Sequence, residues 1–182
     1  MSDLFRLDAA ALTLMGHEVL SLPADSHTAS TPCKGWNVRN LVQHMNDQHE
    51  AVAAGALPSP SGLCGDPMAD FPRHAARWLV ALEQAGELVH VPMLGREVPV
   101  ERVLAAHLVD MLVHRWDLLT ALGRECDTPD ELTRVALPIA RSLTGPESPL
   151  SGPGGVYAPP LPEDPERSPI QNLVALLGRN PG

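Results

Sequence analysis

Aromatic and cysteine residues are scarce in this chain. Its 182 residues include three tryptophans, two phenylalanines and one tyrosine, so leucine, alanine and valine have to fill the core, which suits packed helices. The three cysteines are an odd number and show no C-x-x-C spacing, which argues against a disulfide framework and against a cysteine zinc site. Free thiols and a cytoplasmic location are therefore expected.

Basic charge is also limited. With 13 Lys and Arg against 22 Asp and Glu, the formal net charge is −9, so the phosphates of nucleic acids and of anionic membranes would repel the protein. No apolar run approaches bilayer length, and the first residues lack the basic start of a signal peptide. A Gly-rich phosphate loop, a G-x-S-x-G elbow and an H-E-x-x-H motif are absent, which leaves familiar nucleotide and hydrolase chemistry without support.

Apolar residues recur at helical spacing through most of the chain and predict an all-α fold. The expected helices cover residues 3–22, 38–54, 69–85, 101–122 and 129–143, with a short last helix near the C-terminus. Residues 86–100 are predicted to form a short hairpin or an extended crossover. Residues 145–169 contain eight prolines and are predicted to be irregular. We therefore expect a helical bundle over 1–144, with a Pro-rich tail, 145–182, packing on the same domain.

The helix boundaries carry their own signals. Asn37 is a plausible N-cap for the second helix, and Gly123 is a plausible C′ residue for the fourth. Pro129 is a favourable N1 residue for the fifth helix, within which Pro138 is a candidate kink.

The most informative stretch is AAHLVDMLVHRWDLLTALG, residues 105–123, a predicted helix that is apolar on almost every side. The polar exceptions follow one another at spacings of three, four and three: His107, Asp110, His114 and Asp117. At 100° per residue they fall within roughly 80° of each other on the helix wheel. Because unpaired polar burial costs several kcal/mol, this stripe is predicted to face a metal ion, a polar pocket or another polar stripe.

Within the stripe, Asp110 and His114 lie one turn apart and can converge on a single cation. His107 lies about 10 Å along the axis from His114, at ~1.5 Å per residue, and is expected to line a pocket or handle protons instead of binding the metal. Asp117 could orient the His114 ring through its N–H, or it could make a structural polar contact.

A third metal ligand has to come from another helix, and the second helix offers His44 and His49. They lie on opposite shoulders of its apolar face, so periodicity does not choose between them. Cys33 precedes this helix, where a thiol pKa can be lowered, but no partnered base is visible and a catalytic cysteine is not expected. A purely structural alternative also stands, in which these polar groups only satisfy one another.

Three motifs carry a family resemblance: TPCKGWNVRNLVQH (31–44), DMLVHRWDL (110–118) and LLGRNP (176–181). Together they resemble the DinB-like metalloenzymes, and within them the mycothiol-dependent maleylpyruvate isomerase N-terminal group and its actinobacterial metal-binding relatives. The resemblance implies an up-down four-helix bundle with a long crossover. It also implies a divalent metal, zinc or nickel, held by His44, Asp110 and His114. The isomerase carries Glu at the position of Asp110.

The resemblance further implies mycothiol, a low-molecular-weight thiol, as a cosubstrate. The leading hypothesis is a metal-dependent thiol transferase or mycothiol-dependent isomerase acting on a small electrophile, with His107 and Asp117 as the candidate catalytic residues beside the metal. The alternative is a non-catalytic, metal-stabilised bundle that binds or senses a small molecule. Related bundles often pair, so a homodimer is a further expectation.

Overall fold

The structure, a computed structural model, describes residues 3–145, 148, 150 and 156–182. It is mostly helical, as the composition and periodicity predict. Within these residues six α-helices follow one another: α1 (Asp3–Leu20), α2 (Val38–Ala53), α3 (Pro67–Gln84), α4 (Val100–Ala121), α5 (Asp130–Thr144) and α6 (Pro169–Leu176). A two-stranded antiparallel sheet, β1 (Leu88–Val91) and β2 (Arg96–Pro99), lies between α3 and α4. Of the two alternatives predicted for residues 86–100, the hairpin is therefore correct, and the fold is not purely helical.

The first four helices contact one another in a closed ring. Helix α1 packs against α3 and α4, and α2 packs against the same two helices. The core between them is apolar, and each of the four contributes at least one fully buried large side chain, among them Met15, Leu41, Phe71 and Leu112. Burial of such side chains stabilises the fold by about 1.5–3 kcal/mol each.

Local capping explains where the central helices begin and end. The Asn37 side chain accepts a hydrogen bond from the Asn40 backbone N–H at 2.9 Å, and the Asn40 side-chain oxygen accepts one from the Asn37 N–H, which confirms the predicted N-cap of α2. Gly123, at φ 64°, follows α4, and its N–H bonds to the Thr120 carbonyl while Arg124 N–H bonds to Leu119. This is a Schellman ending, as the glycine predicts.

The fifth helix begins one residue later than its proline suggests. Pro129 is the N-cap of α5 and not its N1 residue, because its ψ of 132° is extended. Helix α5 continues through Pro138 without a break.

The chain beyond α5 is described only in part. Residues 156–168 are irregular, as predicted, whereas the predicted course of residues 146–147, 149 and 151–155 lies outside the described residues. Helix α6 packs on α5 and α4. Within the described residues, no helix is long and apolar enough to cross a membrane.

Candidate metal centre

Helix α4 places three side chains of its polar stripe on one side of its middle and last turns. The Asp117 side chain is fully buried, that of His114 is 5% exposed, and that of Asp110 is 23% exposed. The helix around them is apolar and lies at the centre of the fold, since α4 contacts α1, α2, α5 and α6. This placement holds charged groups in a setting where only close partners can stabilise them.

Helix α2 brings His44 to this group. Its ring centroid lies 5.5 Å from that of His114 in an edge-to-face arrangement, and the Trp36 ring lies 4.7 Å away on another side. One ligand atom from each of His44, Asp110 and His114 lies within 4.8 Å of the other two. Packing of α2 on α4 therefore places His44 beside Asp110 and His114, whereas His49 meets the stripe at His107, and the role of His44 as the third ligand stays a prediction.

His114 has a carboxylate at each of its two ring nitrogens. Nε2 lies 3.5 Å from Asp110 Oδ2, and Nδ1 lies 3.2 Å from Asp117 Oδ2. A neutral imidazole carries one N–H and would turn a lone pair towards one of these oxygens, whereas an imidazolium donates to both. A carboxylate oxygen at each ring nitrogen therefore favours the charged ring.

The pKa directions follow from this arrangement. Burial alone lowers the pKa of His114, but Asp110 and Asp117 raise it and leave it well above its usual value. Burial raises the pKa of the Asp110 carboxyl, yet the charge and hydrogen bond of His114 outweigh burial and hold it below its usual range. Burial and the neighbouring His114 lower the pKa of His44, which is therefore a neutral ring at pH 7. Its Nε2 lies 3.3 Å from the side-chain nitrogen of Gln48.

Asp117 is bonded on its other side to two further residues. Its Oδ2 accepts from Cys33 Sγ at 3.1 Å and from Arg179 Nη2 at 3.0 Å, and its Oδ1 lies 3.4 Å from Arg179 Nε. Burial raises the pKa of Asp117, but His114 and Arg179 lower it by more than burial raises it. The pKa therefore lies below its usual value, and the carboxylate is ionised.

A second trio, Cys33, His114 and Asp117, also has its ligand atoms within 4.8 Å of one another. This second trio fits a cation less well, because Asp117 already accepts hydrogen bonds from Arg179. The positive guanidinium would repel a metal ion bound at the same carboxylate. Between the two groups, the trio with His44 has the ligands available for a metal.

Two residues at this site come from the C-terminal segment, and sequence reasoning did not single them out. Arg179 contacts Asp117 as described. Tyr157 is buried, and burial together with the charge of Asp110 raises the pKa of its hydroxyl. A signal for Arg179 was present, since it directly follows Gly178 in the closing LLGRNP motif, but Tyr157 stands alone among prolines and had none.

His107 lies in a different buried cluster. Its Nδ1 is 2.6 Å from Asp8 Oδ1, and its Nε2 is 2.9 Å from His49 Nε2. Asp8 also accepts from Trp78 Nε1 at 3.0 Å. Both ring nitrogens of His107 are therefore occupied by α1 and α2, away from His44. Its predicted catalytic role, like that of Asp117, stays a prediction.

Comparisons with known proteins agree with the motifs. The family profile of the mycothiol maleylpyruvate isomerase N-terminal domain matches residues 9–63, a range that includes His44. Uncharacterized proteins from two strains of Mycobacterium tuberculosis are each 31% identical over 159 residues, which is 86% of this chain and 86% of each relative. No solved structure matches this chain. The chain belongs to the family of the mycothiol maleylpyruvate isomerase N-terminal domain.

Proposed function

We propose that this protein binds one divalent metal ion through His44, Asp110 and His114. The observation that carries the proposal is their convergence within 4.8 Å from two helices that are far apart in the sequence. Two imidazoles and a carboxylate form a ligand set that zinc and nickel accept.

The spacing of the ligand atoms is also suitable. Two ligand atoms that are each about 2.1 Å from a tetrahedral ion lie about 3.4 Å apart. The separation of 3.5 Å between His114 Nε2 and Asp110 Oδ2 is close to this value. The pairs that involve His44 lie within 4.8 Å and need only a small approach.

The closed ring of contacts among α1, α2, α3 and α4 supports a DinB-like up-down bundle as the scaffold. In such bundles, metal sites are built from side chains on facing helices. Here α2 supplies one ligand and α4 supplies two, with the i, i+4 spacing of Asp110 and His114 placing both on one side of α4.

The proposed activity is a transfer or isomerisation that uses a low-molecular-weight thiol, mycothiol, and a small electrophile. A divalent ion in this site supplies positive charge that favours the thiolate form of a coordinating thiol. The Asp117 carboxylate accepts from the Nδ1–H of His114 and so fixes the orientation of this ring, as carboxylates beside metal-binding histidines commonly do. With both histidines neutral and Asp110 ionised, the ligand set leaves a net positive charge at the ion for an anionic sulfur.

A second candidate is a metal-stabilised bundle that binds a small molecule without catalysis. It is favoured by the burial of the His114 end of the site, because the Asp117 side chain is fully buried and that of His114 is 5% exposed, which leaves only the half-buried His44 and Asp110 of the trio open to a second substrate. Both candidates require the metal, and they differ in whether thiol turns over.

The test begins with elemental analysis of the full chain purified without an affinity tag. About one equivalent of metal is expected, and His44→Gln and His114→Gln should lose it. His90→Gln is the matched control, because the His90 side chain is 50% exposed on the hairpin. Absence of metal from the unaltered protein after loading would refute both candidates and leave a polar core cluster.

Turnover then separates the two. Metal-loaded protein is assayed with mycothiol and a panel of small electrophiles, with the His44→Gln variant beside it. Thiol-dependent turnover that disappears in the variant supports the enzyme. Metal-dependent melting without turnover across the panel supports the binding bundle, and turnover that survives loss of His44 refutes the proposed role of the metal ligands.

A further inference from the structure

The C-terminal segment reaches the proposed metal site through the side chain of Arg179. Arg179 approaches Asp117 with two nitrogens, Nη2 at 3.0 Å and Nε at 3.4 Å. The Asp117 side chain is fully buried and that of Arg179 is 15% exposed. A buried carboxylate requires a paired cation or several hydrogen bonds, and Arg179 provides both kinds of partner.

The end of α6 fixes where this guanidinium lies. The Ser168 and Gln171 capping box starts the helix, and a Schellman ending closes it, with Arg179 N–H bonded to the Val174 carbonyl at 3.0 Å. Gly178 has φ 79°, and a Cβ there would lie 2.5 Å from the Ala158 Cβ. Glycine is thus required both by the conformation and by the close approach of the preceding chain, and it sets the direction in which the next residue leaves the helix.

Asp117 in turn couples Arg179 to a proposed metal ligand. Its Oδ2 is shared by Arg179 Nη2 and by His114 Nδ1, at 3.0 and 3.2 Å. A carboxylate held from one side by a guanidinium fork has little freedom to rotate away from the imidazole on the other side. The ring of His114 is therefore held with Nε2 towards Asp110.

We propose that Arg179 is a positioning residue of the metal centre, acting through Asp117 on His114, so that the C-terminal segment completes the site. This inference rests on the proposed metal-binding function. Arg179 does not need to touch the metal or a substrate for this role. The Arg179 guanidinium fixes the Asp117 carboxylate, and this carboxylate fixes the His114 ring with Nε2 towards the proposed metal position.

The test measures zinc affinity of the full chain by competition with a chelator. Arg179→Gln is expected to lose roughly tenfold in affinity, the lower end of what loss of a partner of a metal ligand costs. Arg167→Gln is the matched control, since this half-buried arginine belongs to the same segment and its side chain donates to the Pro162 carbonyl at 3.3 Å instead of to Asp117. Arg179→Lys keeps the charge without the fork and is expected to fall between the two.

A double-mutant cycle separates positioning from a general structural role. In an Asp117→Asn background, Arg179→Gln should change zinc affinity less than twofold, because the path to His114 is already broken. Cobalt-loaded protein gives a second readout, since a displaced His114 changes the visible absorption spectrum. Thermal unfolding is followed in every variant, and Arg179→Lys carries the test if the glutamine variant does not fold.

Each outcome bears on one proposal. Equal zinc affinity and an unchanged cobalt spectrum in folded Arg179→Gln or Arg179→Lys would overturn the role of Arg179 and leave metal binding standing. Losses that add independently to those of Asp117→Asn would overturn the path through Asp117. Failure of the unaltered protein to bind zinc would instead refute the proposed function itself.

Discussion

Metal binding at neutral pH is expected to release one proton, and His114 is its source. Each nitrogen of this ring faces a carboxylate oxygen, Asp110 on Nε2 at 3.5 Å and Asp117 on Nδ1 at 3.2 Å. These carboxylates outweigh burial and raise the pKa of His114 well above its usual value. A metal at Nε2 has to replace the proton there, while Asp117 keeps the proton on Nδ1.

The magnitude follows from the number of protons displaced. While metal-free His114 is protonated, metal affinity should rise tenfold per pH unit, which is about 1.4 kcal/mol. His44 adds nothing at pH 7, because its pKa is lowered, and Asp110 is already ionised. Below the pKa of His44 the dependence should steepen towards two protons, and above the raised pKa of His114 it should disappear.

Titration calorimetry checks this prediction. Zinc is added to the full chain at pH 7 in buffers with different ionisation enthalpies, and the dependence of the apparent enthalpy on the buffer gives the proton count. His90→Gln, altered on the exposed hairpin, should give the same count. A count near zero would mean that His114 is neutral before metal binds, and the interpretation of its two carboxylate contacts would be wrong.

The same raised pKa makes the metal-free fold sensitive to base. Because the folded-state pKa of His114 lies above the unfolded value of about 6.5, its contribution to stability is complete below that pH and is lost as the pH rises through the folded-state pKa. Chemical denaturation of metal-free protein should therefore show a fall in stability over that window. Metal-loaded protein, in which the Nε2 proton is already gone, should not show it.

Other substitutions test the carboxylate, the last turn of α6 and the second buried cluster. Asp110→Glu should retain one equivalent of metal, whereas Asp110→Asn should lose at least tenfold in affinity because the ligand charge is gone, both measured by chelator competition. Gly178→Ala should lower the free energy of unfolding by about 1–3 kcal/mol, and Gly123→Ala by about 1 kcal/mol, because only Gly178 has a close contact besides its positive φ. Asp8→Asn should cost about 2 kcal/mol in chemical denaturation, from weaker bonds to His107 and Trp78, and leave metal stoichiometry unchanged. Metal loss in Asp8→Asn, or equal costs for the two glycines, would contradict the assignments.

The helices could be predicted because their signals are local. Apolar spacing, Asn37 before α2 and Gly123 after α4 act within a few residues, and the structure shows the corresponding capping contacts. Pro129 was placed one position too far inside α5, since a proline fits both N-cap and N1 and sequence spacing does not distinguish its ψ.

The candidate site could be predicted only in part, because its remaining members depend on packing between helices. His44 and His49 border opposite sides of the apolar face of α2, about 140° apart at 100° per residue, so this face alone does not say which of them meets a given level of α4. Ring contact of His44 with His114, at 5.5 Å, is a property of how α2 crosses α4. The family resemblance supplied that choice, and periodicity did not.

Arg179 shows the same division between local and distant information. The glycine before it is a local signal for the end of a helix, and the structure has a Schellman ending there. Which buried group the arginine meets depends on the docking of α6 against α4, where Asp117 lies 62 residues earlier in the sequence. A local pattern therefore predicts that a side chain leaves the helix, but not that it reaches Asp117.

The polar stripe of α4 also exceeds what one cation needs. From His107 to Asp117 it extends about 15 Å along the axis at ~1.5 Å per residue, whereas the ligands of a single ion all lie within about 2.1 Å of it. The residue at the far end requires partners of its own, and α1 and α2 provide them through Asp8 and His49. One helix thus carries two buried polar clusters at different heights. Substitutions in the cluster of Asp8, His49 and His107 should lower stability and leave metal binding unchanged. Substitutions at Asp110 or His114 should weaken metal binding directly.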